Sequence, residues 1–581
     1  MSARFQMRDH DPATARRLQA QGLPAPLARA LAARGIQDQT ELALSTQQMQ
    51  APTSMAQLET AARLLADAIA EKKRLLVVAD YDCDGATACA VAIRGLRAMG
   101  AQVDFLVPNR FEYGYGLTPE LVDLAAQGTA TAPGRPDLII TVDNGIASIE
   151  GVDRANALGI DVLITDHHLP AERLPAARAI VNPNQRGCGF ASKNLAGVGV
   201  MFYVLLQLRA ELRQRGVFDQ QSQPRLDSLL DLVALGTVAD LVRLDRNNRI
   251  LVQAGLERMR RGALQPGLAA LFRVAGRDAR NARASDLGFA IGPRVNAAGR
   301  LTDMTQGIAC LLCDDPDQAL VLAQRLDELN RERRSIEAGM QADAQFDLEA
   351  ATREATSCAG ASAGAAQRTI TIFREGWHPG VVGLIASRVK DAHHRPTIAF
   401  ARADAQWLRG SGRSIEGVHL RDTLDLVTKL APGLIERFGG HAMAAGLTIP
   451  FAALDDFTRC FEQAARASTE ASLYTRTLAV DGPLEPAELT NSLVEAMQGI
   501  VWGQGFAEPL FANDFEVLDQ RIVKDAHLKL TLGLGGRRWP AIWFRRVATL
   551  PDRVRLAYRP TIDEYNGQRR ISLMVEQVEQ A

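Results

Sequence analysis

The chain of 581 residues is too long for one hydrophobic core and calls for about three or four domains. With 47% hydrophobic and 23% charged residues it has an ordinary globular composition, and no run approaches the ~20 apolar residues of a membrane span. Lys+Arg 66 against Asp+Glu 67 leaves a net charge of −1, which excludes a global basic field, and seven irregularly spaced cysteines exclude a disulfide framework.

Residues 1–70 read as helices at 13–21, 25–34 and 55–71, with Ala and Leu at helical spacing and nothing that suggests chemistry. The start lacks an apolar h-region, so the expected setting is a reducing cytoplasm. From Arg74 to Asp166 strands (75–78, 103–107, 138–142, 161–165) alternate with helices (86–99, 119–126, 146–157). Short continuous apolar strands between helices predict a parallel α/β sheet covered on both faces. In such sheets the loops at the carboxyl ends of the strands line one edge and hold ligands.

Three of these strands end alike. The first runs into Asp80-Tyr81-Asp82-Cys83-Asp84-Gly85, the second into Asp143-Asn144-Gly145, and the third into Asp166-His167-His168. Closely spaced carboxylates raise one another's pKa unless a cation is present. A plain acidic loop, or an N-cap for a helix starting near Ala86, would explain the first run alone. Three acidic strand ends with a His-His pair favour a metal site. Carboxylates and imidazole without cysteine suit Mn²⁺ or Mg²⁺ better than structural zinc.

A helical stretch follows from about 198 to 274. Within it Asp240 lies in an apolar segment, where it needs a partner or a metal, or caps the next segment. The run Ile291-Gly-Pro-Arg294-Val-Asn296-Ala-Ala-Gly299-Arg300 reads either as two arginines forking onto phosphate or as a tight turn between helices. Cys310 and Cys313 read as core thiols. A long charged helix at 315–351 precedes a small-residue boundary at 357–366. A second α/β unit at 369–467 carries the strand 370–373 and a glycine-rich entry to a helix at 384–390. In that unit Arg409-Gly-Ser411-Gly-Arg413-Ser414 and Arg437-Phe-Gly439-Gly440-His441 pair close backbone approach with a cation or hydroxyl, as phosphates require.

From about 475 to 578 the texture is β, with five short strands that fit an OB-like barrel. Between Arg521 and Arg570 there are 12 Lys/Arg against 4 Asp/Glu. Trp539, Trp543, Phe544 and Tyr558 lie among Arg537, Arg538, Arg545 and Arg546, as platforms for a single strand or as barrel core.

Taken together these motifs resemble the DHH phosphoesterase superfamily and, within it, the RecJ family of single-strand-specific exonucleases. The resemblance covers nearly everything from residue 70 onward. It implies a multidomain α/β fold: a parallel-sheet DHH catalytic domain (71–300) after an N-terminal helical segment (1–70), a connector helix (301–356), a DHHA1 domain (366–468) and an OB-fold β-barrel (472–579). It further implies two divalent ions, one held by Asp84, Asp143, His167 and Asp240, the other by Asp82 and the shared Asp143. Many relatives place a histidine where Val78 stands, a gap that Asp80 would help to fill. His168 would face the scissile phosphate, with Asp166 orienting an imidazole. Arg110, Arg300, Ser411 and Arg413 would seize a terminal 5′-phosphate, and Arg294, Asn296, Gly439, Gly440 and His441 belong to the same phosphate-binding motifs. The implied activity is Mn²⁺- or Mg²⁺-dependent release of mononucleotides from the 5′ end of single-stranded DNA during recombination and repair. The implied setting is the bacterial cytoplasm near the nucleoid, with a monomer meeting single-strand-binding protein and a repair helicase. Rival expectations are a DHH phosphodiesterase acting on short oligoribonucleotides or cyclic dinucleotides, and a non-catalytic replication scaffold.

Overall fold

In the computed structural model, which describes residues 3–109, 112–129, 131–357, 367–565 and 568–579, the apolar runs become parallel strands. They are β1 (Arg74–Ala79), β2 (Gln102–Leu106), β3 (Leu138–Val142), β4 (Asp161–Thr165) and β5 (Ala179–Val181), in the order β2-β1-β3-β4-β5. Every residue of β3 is buried, as its position inside a sheet covered on both faces requires. The three-residue β5 is too short to show a period and was not expected. The chain steps outward from β1 to β2 and then returns past β1 to β3. The loops leaving β1 and β3 therefore diverge and open a crevice at the carboxyl edge.

Helix α1 (Cys83–Ala98) starts three residues before the expected Ala86, because Asp82 caps it. The Asp82 carboxylate accepts from Asp84 N (2.9 Å) and Gly85 N (3.1 Å), a cap worth about 1 kcal/mol. The capping and metal readings of this run are thus compatible, since one carboxylate oxygen caps and the other is left over. Buried almost throughout, α1 packs between α2 (Gly197–Gln214) and α3 (Leu230–Ala239). The 291–300 run is not a tight turn. It forms helix α4 (Gly292–Leu301), entered through a π-helical turn at Leu287–Ile291. Cys310 is buried in the core and Cys313 half-buried, without a metal cluster among the described residues there.

The chain divides into two units, one of residues 39–331 with 499–508, the other of the N-terminal residues to Asp38 with 332–498 and everything from Pro509 on. The helix Pro316–Ser357 runs through both. The expected N-terminal helical segment is therefore divided. Helix Leu58–Ala70 joins the first unit, while the strand Arg4–Met7 pairs in parallel with Thr477–Val480 in the second. There Arg34 forks onto the buried carboxylate of Asp481 at 2.6 and 3.0 Å.

The second unit contains a mixed five-stranded sheet, ordered Arg437–Gly440, Ala444–Pro450, Trp407–Arg413, Thr397–Arg402, Ile370–Phe373. It also contains a closed five-stranded barrel, Phe511–Val523, His527–Leu534, Arg537–Trp543, Gln568–Val578 and Arg553–Tyr565. Trp539, Trp543 and Tyr558 are buried in the barrel, so of the four expected platforms only Phe544, 51% exposed, faces solvent. Much of the basic stripe is ion-paired: Arg553 with Glu516, Arg555 with Glu579, Arg559 with Glu576 and Arg570 with Asp563.

Candidate metal centre and active site

The strand ladder continues one residue beyond each strand at the crevice. Asp80 N reaches Val142 O (3.3 Å), Asp143 N reaches Thr165 O (3.0 Å) and Asp166 N reaches Val181 O (3.1 Å). These bonds set Asp80, Asp143 and Asp166 at one edge. Asp84 arrives from the first turn of α1, Asp240 from the end of α3, and His167 from the loop after β4. The potential ligand atoms fall into overlapping groups within 4.8 Å: Asp84–His167–Asp240, Asp80–Asp82–Asp143, and Asp143–His167–His168. His167 Nε2 is 3.1 Å from Asp143 Oδ1, 3.6 Å from Asp240 Oδ2 and 4.0 Å from Asp84 Oδ2. Asp80 groups with Asp82 and Asp143, and Val78, where many relatives place a histidine, is fully buried in β1.

Glycines let the acids come this close. A Cβ on Gly197 would lie 2.7 Å from the Asp143 side chain, and one on Gly236 would lie 2.9 Å from Asp84 Oδ1. Asp84, with no exposed surface, accepts from Gly197 N (2.6 Å) and Val198 N (2.9 Å) at the amino end of α2. That helix end stabilises negative charge. Even so, burial, reinforced by the charge of Asp240, pushes the Asp84 carboxyl up to about 7. Burial and then Asp82 push Asp240 up to about 7 as well. Burial and Asp84 raise Asp143 well above the usual carboxylate range. His167 is lowered by burial and by His168, which favours the neutral imidazole that ligates metals.

Asp143 also sits in the left-handed region, at φ 63°, a conformation costly for a non-glycine residue. Its Oδ1 and the His167 Nε2 are buried and complete no hydrogen bond. Two such atoms 3.1 Å apart, among carboxylates that repel one another, are expensive without a cation. Hard oxygen donors with a neutral imidazole are the ligand set of a divalent ion, and the residues present fit one.

His168 belongs to one of these groups, but its ring is engaged by a carboxylate outside them. Its Nδ1 lies 2.7 Å from Asp166 Oδ1, and because a carboxylate only accepts, the proton is on Nδ1. Burial works against its charge, but the hydrogen bond and charge of Asp166 outweigh it and lift His168 to about 9. Asp166 also accepts from His167 N (2.7 Å), His168 N (3.1 Å) and Ile146 N (2.9 Å). Burial opposes its ionisation as well, yet the His168 bond and charge hold it below the usual range.

The arginine run divides by role. Arg294 is 8% exposed, with its guanidinium committed to Asp327 (2.9 Å) and to Ala290 O (2.6 Å), so it is a structural pair and not a phosphate fork. Asn296 Oδ1 accepts from Cys83 N at 2.9 Å and thereby holds the acidic loop. Gly299 packs so closely on the Tyr81 carbonyl that a Cβ would strike it, and the half-buried Arg300 follows it. In the second unit Arg413 Nη1 donates to Ser411 Oγ (3.1 Å) and Gly412 O (2.8 Å). A Cβ on Gly383, in the first turn of helix Val382–His393, would lie 2.8 Å from Ser411 Oγ and 3.0 Å from Arg413 Nη2. Hydroxyl, guanidinium and helix amino end therefore converge as an anion would need. Gly439 and Gly440 end the strand Arg437–Gly440, and His441 N bonds Ala444 O (2.8 Å) in the following hairpin. Arg110 lies outside the described residues.

Other contributors were not foreseen. Tyr115 places its hydroxyl 3.4 Å from the His168 ring nitrogens, and its ring stands edge-on to those of His168 and Tyr81. Asn182 and Asn184 donate to the carbonyls of His168 (2.9 Å) and His167 (2.6 Å), fixing the His-His backbone. The tyrosine-glycine run around Tyr115 was the only available hint, since asparagine side chains carry no periodic signal.

Comparison with known proteins agrees with this geometry. Residues 74–237 match the DHH family, N-terminal domain; residues 365–467 match the DHHA1 domain; and residues 480–577 match the RecJ OB domain. The single-stranded-DNA-specific exonuclease RecJ of Escherichia coli is 46% identical over 568 residues, 96% of each chain. The crystal structure of RecJ in complex with Mn²⁺ from Thermus thermophilus is similar with a TM-score of 0.80 at 27% identity, covering 100% of this chain and 80% of that one. The same protein in complex with Mg²⁺ gives a TM-score of 0.75 at 26% identity, covering 100% and 79%. Built on the same three matched domains and nearly half identical along its length to a curated member, this chain belongs to the RecJ family of single-stranded-DNA-specific exonucleases.

Proposed function

We infer that this chain is a divalent-metal-dependent exonuclease that releases 5′-mononucleotides from the 5′ end of single-stranded DNA. The observation that carries the reading is the gathering of Asp80, Asp82, Asp84, Asp143, His167 and Asp240 at the carboxyl edge of the sheet, in a chain of this family. Asp84, Asp143, His167 and Asp240 would hold one ion, and Asp82 with the shared Asp143 the other, Asp80 beside them. When bound, such ions make water nucleophilic at neutral pH and offset the charge developing on the phosphoryl group.

The chain's own residues orient the rest. In the cleavage, water oxygen bonds to phosphorus and the bond from phosphorus to the 3′-oxygen of the terminal nucleotide breaks. A proton goes to that oxygen, and the next nucleotide keeps the 5′-phosphate. His168, kept cationic by Asp166, turns its Nε2–H to the scissile phosphate, and Tyr115 steadies the ring. Arg300 adds a cation on the helix behind the acidic loop. Ser411 and Arg413, and Arg110 by resemblance, would take the terminal 5′-phosphate. Asn296 and Arg294 act on architecture, and Gly439, Gly440 and His441 give backbone access to the strand. The barrel argues against a small dinucleotide substrate, and the full set of acids argues against a scaffold.

A role in recombination and repair follows from the family. Among the described residues no helix is long and apolar enough to cross a membrane. Action as a monomer near the nucleoid of a bacterial cytoplasm, with single-strand-binding protein and a helicase as partners, rests on resemblance. Digestion of 5′-phosphorylated single-stranded and duplex DNA with Mn²⁺ tests the function. Mononucleotides from the 5′ end of single strands alone are expected; internal ladders or no cutting would overturn it.

A further inference from the structure

Large exposed apolar side chains are few in the unit built on 39–331. Among its described residues they are Tyr115, Leu169, Leu174, Val217, Leu241, Phe289 and Val321. Four of the seven lie on segments that carry, touch or pack against the acid–imidazole cluster. Tyr115 touches His168, Leu169 follows His168 in the chain, and Leu241 follows Asp240. Phe289 sits on the π-helical turn Leu287–Ile291, packed against the end of α3. The contact is close: a Cβ on Gly288 would lie 3.3 Å from Val238 Cγ1, and one on Gly292 would lie 3.0 Å from Ala239 Cβ. These two contacts bracket Phe289 and lie one and two residues before Asp240.

Neither Leu241 nor Phe289 is explained by folding. On the turn Leu287, Ala290 and Ile291 are buried, while Phe289 is 78% exposed. Leu241 is 66% exposed and stands at φ 62° immediately after the helix, a left-handed end position that glycine occupies without strain. A leucine there gives up both backbone comfort and burial. A π-turn likewise is rare and is frequently found at functional sites.

We propose that Phe289 and Leu241 form an apolar platform beside Asp240 on which a nucleobase of the bound single strand stacks. The inference rests on the exonuclease reading and sharpens it: the platform grips the unpaired base while the acids address its phosphate. Aromatic and aliphatic faces take any base, so sequence tolerance is kept. A paired base, already stacked within a duplex, cannot present its face, so the platform contributes to single-strand preference.

The test uses the full chain, 5′-phosphorylated 20-mers and Mn²⁺, with single abasic positions stepped through the first six nucleotides. Wild type is expected to slow about tenfold when one particular position lacks its base, the factor one base–aromatic stack is worth. Phe289→Ala combined with Leu241→Gly is expected to raise KM for the intact strand about tenfold and to reduce the abasic penalty below about twofold. Leu241→Gly alone should melt no lower than wild type, which separates the effect from misfolding. A 2-aminopurine at the sensitive position, in EDTA, should be quenched by wild type and not by Phe289→Ala. Unchanged KM, penalty and quenching in the variants, with wild type digesting normally, would overturn the platform and leave the exonuclease standing. A wild type that cuts no single strand would overturn both.

Discussion

Asn296 accepts a hydrogen bond from the backbone of Cys83 at 2.9 Å, across 213 residues of sequence. Through it helix α4 grips the loop that carries Asp80, Asp82 and Asp84. Asn296→Ala removes the side-chain acceptor of that amide, and the loop loosens. Outer contacts of this kind are typically worth 10- to 100-fold in activity or metal affinity. The expected result is a fall in kcat of about tenfold and a rise in the Mn²⁺ concentration giving half activity. Asn296→Asp, which keeps an acceptor, should recover part of the loss; equal loss in both variants would count against a positioning role.

The carboxylates at the crevice repel one another, and burial raises Asp84, Asp143 and Asp240. Binding a cation should therefore stabilise the fold as well as switch on cleavage. At a hundred times its dissociation constant the gain is about 2.7 kcal/mol, visible as a rise in Tm on adding Mn²⁺ at pH 7.5. Asp143→Ala should abolish that rise and all cleavage while keeping affinity for single-stranded DNA by fluorescence anisotropy. Retained cleavage would remove Asp143 from its shared position.

Arg294 and Asp327 form a buried pair between α4 and the helix Pro316–Ser357. Asp327 keeps Arg331 at 2.8 Å, so removing Arg294 takes away one of its two partners, a loss of roughly 1–3 kcal/mol. Arg294→Ala should lower stability in urea by about that much, while KM for DNA stays within about twofold at a temperature where the variant is folded. A large rise in KM without destabilisation would return Arg294 to the phosphate-binding set.

Asp231 is buried in α3, where its carboxylate accepts from Leu232 N (3.0 Å) and Gln265 N (2.7 Å). Burial outweighs these bonds and pushes it up to about 6. In the unfolded chain it titrates near ~3.9. Between those values the folded state holds a proton that the unfolded state has released, so stability falls as pH rises through this window and levels off above it. At ~1.4 kcal/mol per pH unit the loss is roughly 2–3 kcal/mol. Asp231→Asn carries no such charge, so its stability relative to wild type should improve by about that amount between pH 4 and pH 7. A constant difference across that range would refute the assignment.

The strands β1, β3 and β4 and the acids at their ends were legible because both signals are local. An apolar run of four or five residues announces a buried parallel strand, and the residue after it must lie at the carboxyl edge. The cluster of Asp80, Asp82, Asp84, Asp143 and His167 follows once the strands are parallel, and the family motif added Asp240. What failed to show was pairing over distance. Nothing near Arg294 announces Asp327, nothing near Asn296 announces Cys83, and the amides of Gly197 and Val198 that receive Asp84 lie 113 and 114 residues away. The aromatic residues of the barrel were likewise ambiguous, because a tryptophan on a strand looks the same whether its face of the sheet turns in or out. Trp539 and Trp543 turned in.

By itself, then, the sequence determined the parallel strands and the acids and imidazoles that stand at their carboxyl ends, since backbone preference and hydrophobic period act over a few residues. The tertiary structure alone decided which of those groups lie within a few ångströms of one another, which arginine is committed to a carboxylate, and which apolar side chains stay exposed. Those outcomes depend on through-space distances of a few ångströms between residues far apart in the chain, and on the burial that makes each unpaired charge expensive.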